Sequence, residues 1–248
     1  MTTGIRLKIK RQDGAAEEPY WEEFEVPYRK NMNVISALME VQRNPVTVEG
    51  KQVRAVVWEY NCLEEVCGAC SMRINGVVRQ ACSALVDRLQ QPIVLEPMST
   101  FPTLKDLIVN RQMMFAGLQK IKGWIAIDGT YPLGAGPRIS PNEQQEAYRY
   151  STCMTCGCCL DACPNVNDHS PYLGPQVMAQ AKYFNLHPIG KMTQNERMEA
   201  VTSDEGIANC GNSQNCVQVC PKEIPLTTAL ADLNRQANRF VLRKLLKG

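Results

Sequence analysis

Twelve cysteines in a chain of 248 residues restrict what this sequence can become. They fall into three tight groups: Cys62, Cys67, Cys70 and Cys82; then Cys153, Cys156, Cys158, Cys159 and Cys163; then Cys210, Cys216 and Cys220. Long cysteine-free stretches separate the groups. Disulfide-stapled secreted domains are usually much shorter, and they need an export signal. The stretch from Met1 to Gln12 has basic residues alternating with apolar ones, and neither an apolar core segment nor a small-residue cleavage site, so it does not read as such a signal. No run approaches 18 apolar residues, so no membrane span is expected. The reading that follows is a reducing, cytoplasmic-side protein whose thiolates hold metal.

The spacing within each group says which metal chemistry fits. Cys62, Cys67, Cys70 and Cys82 form C-x4-C-x2-C with a fourth Cys beyond, the plant-type ferredoxin spacing for a 2Fe–2S cluster. Three thiolates come from one short loop, and the chain reversal at Asn75-Gly76 returns the fourth. Gly68 leaves room for backbone N–H groups to approach sulfur, and Glu64 and Glu65 place negative charge nearby. A structural zinc site is the rival, but zinc modules usually show two short Cys pairs.

Cys153, Cys156, Cys159 and Cys163, followed by Pro164, form C-x2-C-x2-C-x3-C-P, the run of two-cluster bacterial ferredoxins, in which the fourth Cys ligates the other cluster. A matching run follows at Cys210, Ser213, Cys216, Cys220 and Pro221, with Ser in the second ligand position. Crossing the fourth ligands gives a 4Fe–4S set of Cys153, Cys156, Cys159 and Cys220. It leaves Cys163, Cys210 and Cys216 as three thiolates facing Ser213. A serine hydroxyl ionises with difficulty and suits soft iron poorly, so a 3Fe–4S cluster is the economical outcome. A 4Fe–4S cluster with Ser213 as an alkoxide is the alternative. Eleven cysteines are then used, and Cys158 remains as a small buried hydrophobe.

Secondary structure is legible in outline. Ile5, Leu7 and Ile9 alternate with basic residues as in a half-buried strand, and Trp21–Val26 makes a partner. Asn33 caps an apolar stripe running from Val34 to Val41. Arg54–Trp58 and Ile93–Leu95 read as strands, and Asn75-Gly76 as a hairpin turn. Thr103–Asp106 looks like a helix start with an acidic third position, ahead of helical spacing from Leu104 to Ile121. Gly129–Pro141 reads as a loop, Ser140–Glu143 and Thr193–Glu196 as capping boxes, and Leu226–Leu246 as an amphipathic helix. A domain boundary is expected near residue 104, with β-rich structure over 1–104 and helices over 105–248.

The formal charge of +2 and an aromatic content of 6% do not suit a nucleic-acid binder. Gly134-Ala135-Gly136 lacks the third glycine of a dinucleotide fingerprint. Clusters with no flavin or nicotinamide site imply electrons received from one partner and passed to another. A zinc-stabilised interaction module and a two-domain ferredoxin serving some other dehydrogenase are the competing classes. Of the two histidines, His169 follows Asp168 close to a cluster arm, and His187 precedes Pro188 at a helix end. Met113, Met114 and Phe115 read as core or subunit contact, and the C-terminal Arg235, Arg239, Arg243, Lys244 and Lys247 as a solvated helix face.

The three cysteine motifs, in this order and over essentially the whole chain, resemble the iron–sulfur subunit of succinate dehydrogenase and fumarate reductase. The stretch TLKDLIVN from Thr103 to Asn110 resembles that family's interdomain helix. The resemblance implies an α+β chain: an N-terminal plant-type 2Fe–2S ferredoxin β-grasp domain and then an α-helical bacterial-ferredoxin-like domain. It implies an FAD-bearing flavoprotein subunit acting on succinate or fumarate. It also implies a membrane anchor subunit, often haem-bearing, with quinone near the 3Fe–4S cluster. The electron order would be flavin, 2Fe–2S, 4Fe–4S, 3Fe–4S and quinone, or the reverse. The protein would sit peripherally on the cytoplasmic face of the inner membrane. Ubiquinone-reducing members carry a Trp and a His where this chain has Asp168 and Gly211. That departure points to menaquinone and a dihaem anchor, with Pro164, Ser213 and His169 as the residues near the quinone.

Overall fold

The computed structural model describes residues 4–125 and 137–246. The chain divides into two compact units: residues 1–111 with 154–161, and residues 112–153 with 162–248. The first unit therefore takes in residues 105–111 and 154–161 besides the β-rich stretch expected to end at residue 104.

In the first unit, strands β1 (Gly4–Arg11), β2 (Tyr20–Pro27), β3 (Ser71–Ile74), β4 (Val77–Gln80) and β5 (Ile93–Glu96) form a mixed sheet in the order β2-β1-β5-β3-β4. β1 runs antiparallel to β2 and parallel to β5. The alternation in β1 buries Ile5, Leu7 and Ile9. Against this core lies helix α1 (Val34–Arg43), which buries Val34, Ile35, Ala37, Leu38 and Val41. Asn33 caps it, accepting from the Ser36 amide at 2.8 Å. Asn75 and Gly76 both have positive φ, as the two-residue turn between β3 and β4 requires. This is the β-grasp arrangement expected of the first domain.

Two expectations fail here for one reason. The stretch after Thr103 is not a helix start but two short strands, β6 (Thr103–Lys105) and β7 (Ile108–Val109). Arg54–Trp58 is not a strand. Asp106 sits between β6 and β7 at φ 46°, which no helix interior tolerates. Its fully buried carboxylate accepts from Arg11 Nε at 3.0 Å, Arg54 Nη1 at 2.6 Å, and the amides of Gln12 at 3.1 Å and Val57 at 2.8 Å. These bonds hold the segment after Arg54 to the turn between β6 and β7 and replace a sheet ladder there. Burial alone would raise the Asp106 carboxyl, but Arg54, Arg11 and the two amides hold it below the ordinary carboxylate range.

Helix α2 (Gln112–Lys120) opens the second unit, burying Met114 and Gly117 while Met113 and Phe115 stay exposed. Helix α3 (Pro141–Ser151) has the expected capping box: Ser140 Oγ accepts from the Glu143 amide, and the Glu143 carboxylate accepts from the Ser140 amide. Helix α4 (Cys158–Asp161) belongs to the first unit. Helices α5 (Pro175–Leu186), α6 (Gln194–Val201), α7 (Asn215–Gln218) and α8 (Leu226–Leu245) complete the second. Thr193 makes no capping box with Glu196; its hydroxyl instead accepts from Arg197 Nη2 at 2.9 Å and donates to Gly190 O. Along α8, Leu226, Ala229, Leu230, Leu233 and Ala237 form one buried stripe, and the helix packs on α5. Lys182 of α5 is held between Glu146 at 2.8 Å and Asp232 at 3.0 Å. The expected Gly- and Pro-rich loop over 129–141 and Lys247 lie largely or wholly outside the described residues. Among the described residues no helix is long and apolar enough to cross a membrane.

Candidate metal centres

The loop carrying Cys62, Cys67 and Cys70 is shaped by left-handed residues. Leu63, Glu65 and Gly68 all have positive φ, at 62°, 55° and 75°. Such turns point backbone N–H groups to one side and make a concavity for negative charge. The amides of Glu64, Val66 and Cys67 aim at Cys62 Sγ at 3.4, 3.3 and 3.3 Å, and the Ala69 amide at Cys67 Sγ at 3.5 Å. The Glu64 and Val66 amides, with help from Cys67, bring the Cys62 thiol down to about 7. Burial pushes Cys70 up to about 12, with the Cys82 thiol beside it. Cys62 therefore lies with Cys67, and Cys70 with Cys82, pairs that could each hold one iron of a two-iron cluster. The hairpin delivers Cys82 as the spacing predicts. Asn33 fixes it: its Nδ2 donates to Cys82 O at 2.8 Å while its Oδ1 caps α1. Arg111 clamps the loop, donating to Gly68 O at 2.9 Å and Ala69 O at 2.7 Å. Nothing in the sequence singled out Arg111, because its role depends on carbonyls more than forty positions away.

The second cysteine run divides between the two units. Cys156, Cys158 and Cys159 are buried in the first unit, and Cys153 and Cys220 are half-buried in the second. Asp161 ties the run to the sheet: it accepts from the Thr100 amide at 2.9 Å, Ser99 Oγ at 3.2 Å and Arg73 at 3.4 Å. A hydrogen bond with the Cys158 thiol, then burial, push the Cys156 thiol up.

Cys163, Cys210 and Cys216 come together in the second unit. Burial pushes Cys216 up to about 11, with Cys163 and Cys210 as the neighbouring thiols. Cys163 is raised by burial and by Cys210. Tyr172 is buried beside the same three sulfurs, and its hydroxyl makes no conventional hydrogen bond. A buried donor with only thiol sulfur beside it suits a sulfide-bearing cluster that would accept from it. Between Cys210 and Cys216 the backbone turns through Asn212 and Gln214 at φ 53° and 63°. Ser213 stands between them and is exposed, as are Pro164 and His169. The His169 amide donates to Asn167 Oδ1 at 2.8 Å. A Cβ on Gly211 would meet Asn165 Oδ1 at 2.9 Å. Among the described residues no three His, Cys, Asp or Glu side chains converge as on a single mononuclear ion. A multi-iron cluster holds its thiolates further apart.

Comparison with known proteins finds an iron–sulfur domain in each part of the chain. Residues 6–116 match the family model of the 2Fe-2S iron-sulfur cluster binding domain, and residues 149–224 that of the 4Fe-4S dicluster domain. The chain is 60% identical over 239 residues to the succinate dehydrogenase iron-sulfur subunit of Bacillus subtilis, covering 96% of this chain and 94% of that one. It is 26% identical to the fumarate reductase iron-sulfur subunit of Wolinella succinogenes, covering 94% and 96%. In fold it is similar to a chain of the Mycobacterium smegmatis Sdh1 complex in the apo form, with TM-score 0.79, 21% identity and 96% of each chain covered. The chain belongs to the family of iron–sulfur subunits of succinate dehydrogenase and fumarate reductase.

Proposed function

We propose that this subunit carries electrons between the FAD of a flavoprotein subunit, where succinate and fumarate interconvert, and menaquinone at a membrane anchor on the cytoplasmic face of the inner membrane. The reading assigns Cys62, Cys67, Cys70 and Cys82 to a 2Fe–2S cluster. It assigns Cys153, Cys156, Cys159 and Cys220 to a 4Fe–4S cluster, and Cys163, Cys210 and Cys216 to a 3Fe–4S cluster. When bound, these clusters supply one-electron steps between a two-electron flavin and a quinone.

The chain's own residues set the conditions for those steps. Backbone amides of Glu64, Val66 and Cys67 favour the thiolate at Cys62. Ser213, in the second ligand position of its run, supplies no thiolate, which supports a trio there in place of a quartet. The exposure of Pro164, next to Cys163, of Ser213, between Cys210 and Cys216, and of His169 further along the chain from Cys163 supports a docking face for the anchor and its quinone. Gly211 and Asp168 supply neither the imidazole nor the indole of the ubiquinone type, which supports menaquinone and a dihaem anchor. The observation that carries the reading is the convergence of Cys163, Cys210 and Cys216, with Ser213 in the second ligand position of their run.

The test is isolation of the intact complex from membranes. A flavoprotein with bound FAD and a haem-bearing anchor should co-purify, and succinate should reduce a menaquinone analogue. A chain that purifies with neither partner would overturn the proposal.

A further inference from the structure

Gln80 is 1% exposed at the end of β4, and its amide lies between two cysteines of different groups. Cys70 Sγ is 3.4 Å from its Oε1, and Cys158 Sγ is 3.4 Å from its Nε2. Ser71 Oγ is 2.7 Å from the same Nε2 and donates to Gly68 O at 2.9 Å. All these residues lie in the first unit. In this arrangement Cys70 acts as a thiol donor to the amide oxygen.

A cluster-bound Cys70 is a thiolate and has no proton to give. The amide oxygen would then face negative sulfur in a buried place, while the amide's own N–H donors point the other way. The two ends of an amide are nearly the same shape, so turning it over costs no packing. We propose that in the cluster-loaded protein Gln80 donates Nε2–H to Cys70 Sγ, while its Oε1 accepts from the Cys158 S–H and the Ser71 O–H. Gly68 O stays satisfied through Arg111. Every buried polar atom in the chain of contacts then has a partner.

This gives Cys158, the one cysteine outside the ligand sets, a role as a thiol that fixes the orientation of Gln80. It gives Gln80 a role as a positioning residue for the first cluster. A hydrogen bond to a ligand sulfur stabilises the more negative, reduced cluster and raises its potential. The inference rests on the assignment of Cys70 as a 2Fe–2S ligand.

The sign of one potential decides it. The full chain, assembled in its complex, is titrated with redox mediators and followed by electron paramagnetic resonance. In Q80L the 2Fe–2S potential should fall and the 3Fe–4S potential should stay where it was. C158A should move the 2Fe–2S potential the same way by a smaller amount, and C158S should restore it. A rise in Q80L would mean that the carbonyl oxygen faces Cys70, and no change would mean that neither end matters; both overturn the proposal. If Q80L loses the cluster, the wild-type complex grown with amide-labelled 15N-glutamine still decides. Pulsed resonance of the reduced 2Fe–2S cluster should show a coupling to a glutamine side-chain nitrogen, and its absence overturns the proposal. A wild-type complex with no 2Fe–2S signal at all would overturn the ligand assignment instead, and the inference with it.

Discussion

Gly68 and Cys156 pack so closely that a Cβ on Gly68 would lie 2.8 Å from Cys156 Cβ and 2.9 Å from its Cα. One belongs to the loop of the first cysteine group and the other to the second, and both lie in the first unit. The absence of a side chain at residue 68 lets two ligand loops touch, which shortens the path between the centres they would hold.

G68A should damage this contact in two ways. At φ 75° a non-glycine residue costs about 1–2 kcal/mol. The atoms it would meet include backbone, so overpacking should add about 1–3 kcal/mol. The expected outcome is a lower unfolding temperature and slower electron transfer between the first two clusters, measured by freeze-quench resonance after a pulse of succinate.

R111A should loosen the first ligand loop, since Arg111 holds the carbonyls of Gly68 and Ala69 together. Loss of the 2Fe–2S signal on dilution or mild chelation should become faster. R111K should rescue little, because one ammonium does not reproduce the fork of a guanidinium. Optical bleaching in the presence of chelator measures this directly.

Asp106 should make the first unit acid-sensitive. Its carboxyl is held below its ordinary value, so its contribution is complete above the unfolded value of about 3.9 and is lost as pH falls through the folded value. D106N removes the anion shared by buried Arg11 and by Arg54, which keep Glu22 and Asp13, and should cost about 3 kcal/mol, the low end for breaking a buried pair. Denaturant unfolding at pH 7 should show that loss. The difference between D106N and the parent should shrink below about pH 4.

S213C completes the third cysteine run and should convert a three-iron centre to a four-iron one. The resonance signal of the air-oxidised complex should disappear, and a reduced-state 4Fe–4S signal should be gained.

The cysteine spacing and the hairpin turn were legible because each is set by local geometry. Four ligands around a small cluster require a fixed loop length, and Asn75-Gly76 supplies the left-handed residues its turn needs. Asn33 and Ser140 were readable as caps for the same reason. At Asp106 the local pattern and the structure part. Its acidic side chain, three residues after Thr103, mimics a helix start, yet it is held by arginines 95 and 52 positions away. Thr193 is similar, because Arg197, buried against Asn185 and Lys122, takes its hydroxyl. Cys158 could be set aside as a non-ligand by counting, but its contact with Gln80 spans 78 positions and leaves no local trace.

The most direct test of the whole account is electron paramagnetic resonance of the intact complex, first air-oxidised and then reduced with dithionite. The sharing of eleven cysteines among three centres predicts a 3Fe–4S signal in the oxidised sample and a 2Fe–2S signal after reduction. An intact preparation that is silent when oxidised would contradict the trio of Cys163, Cys210 and Cys216 on which the account depends.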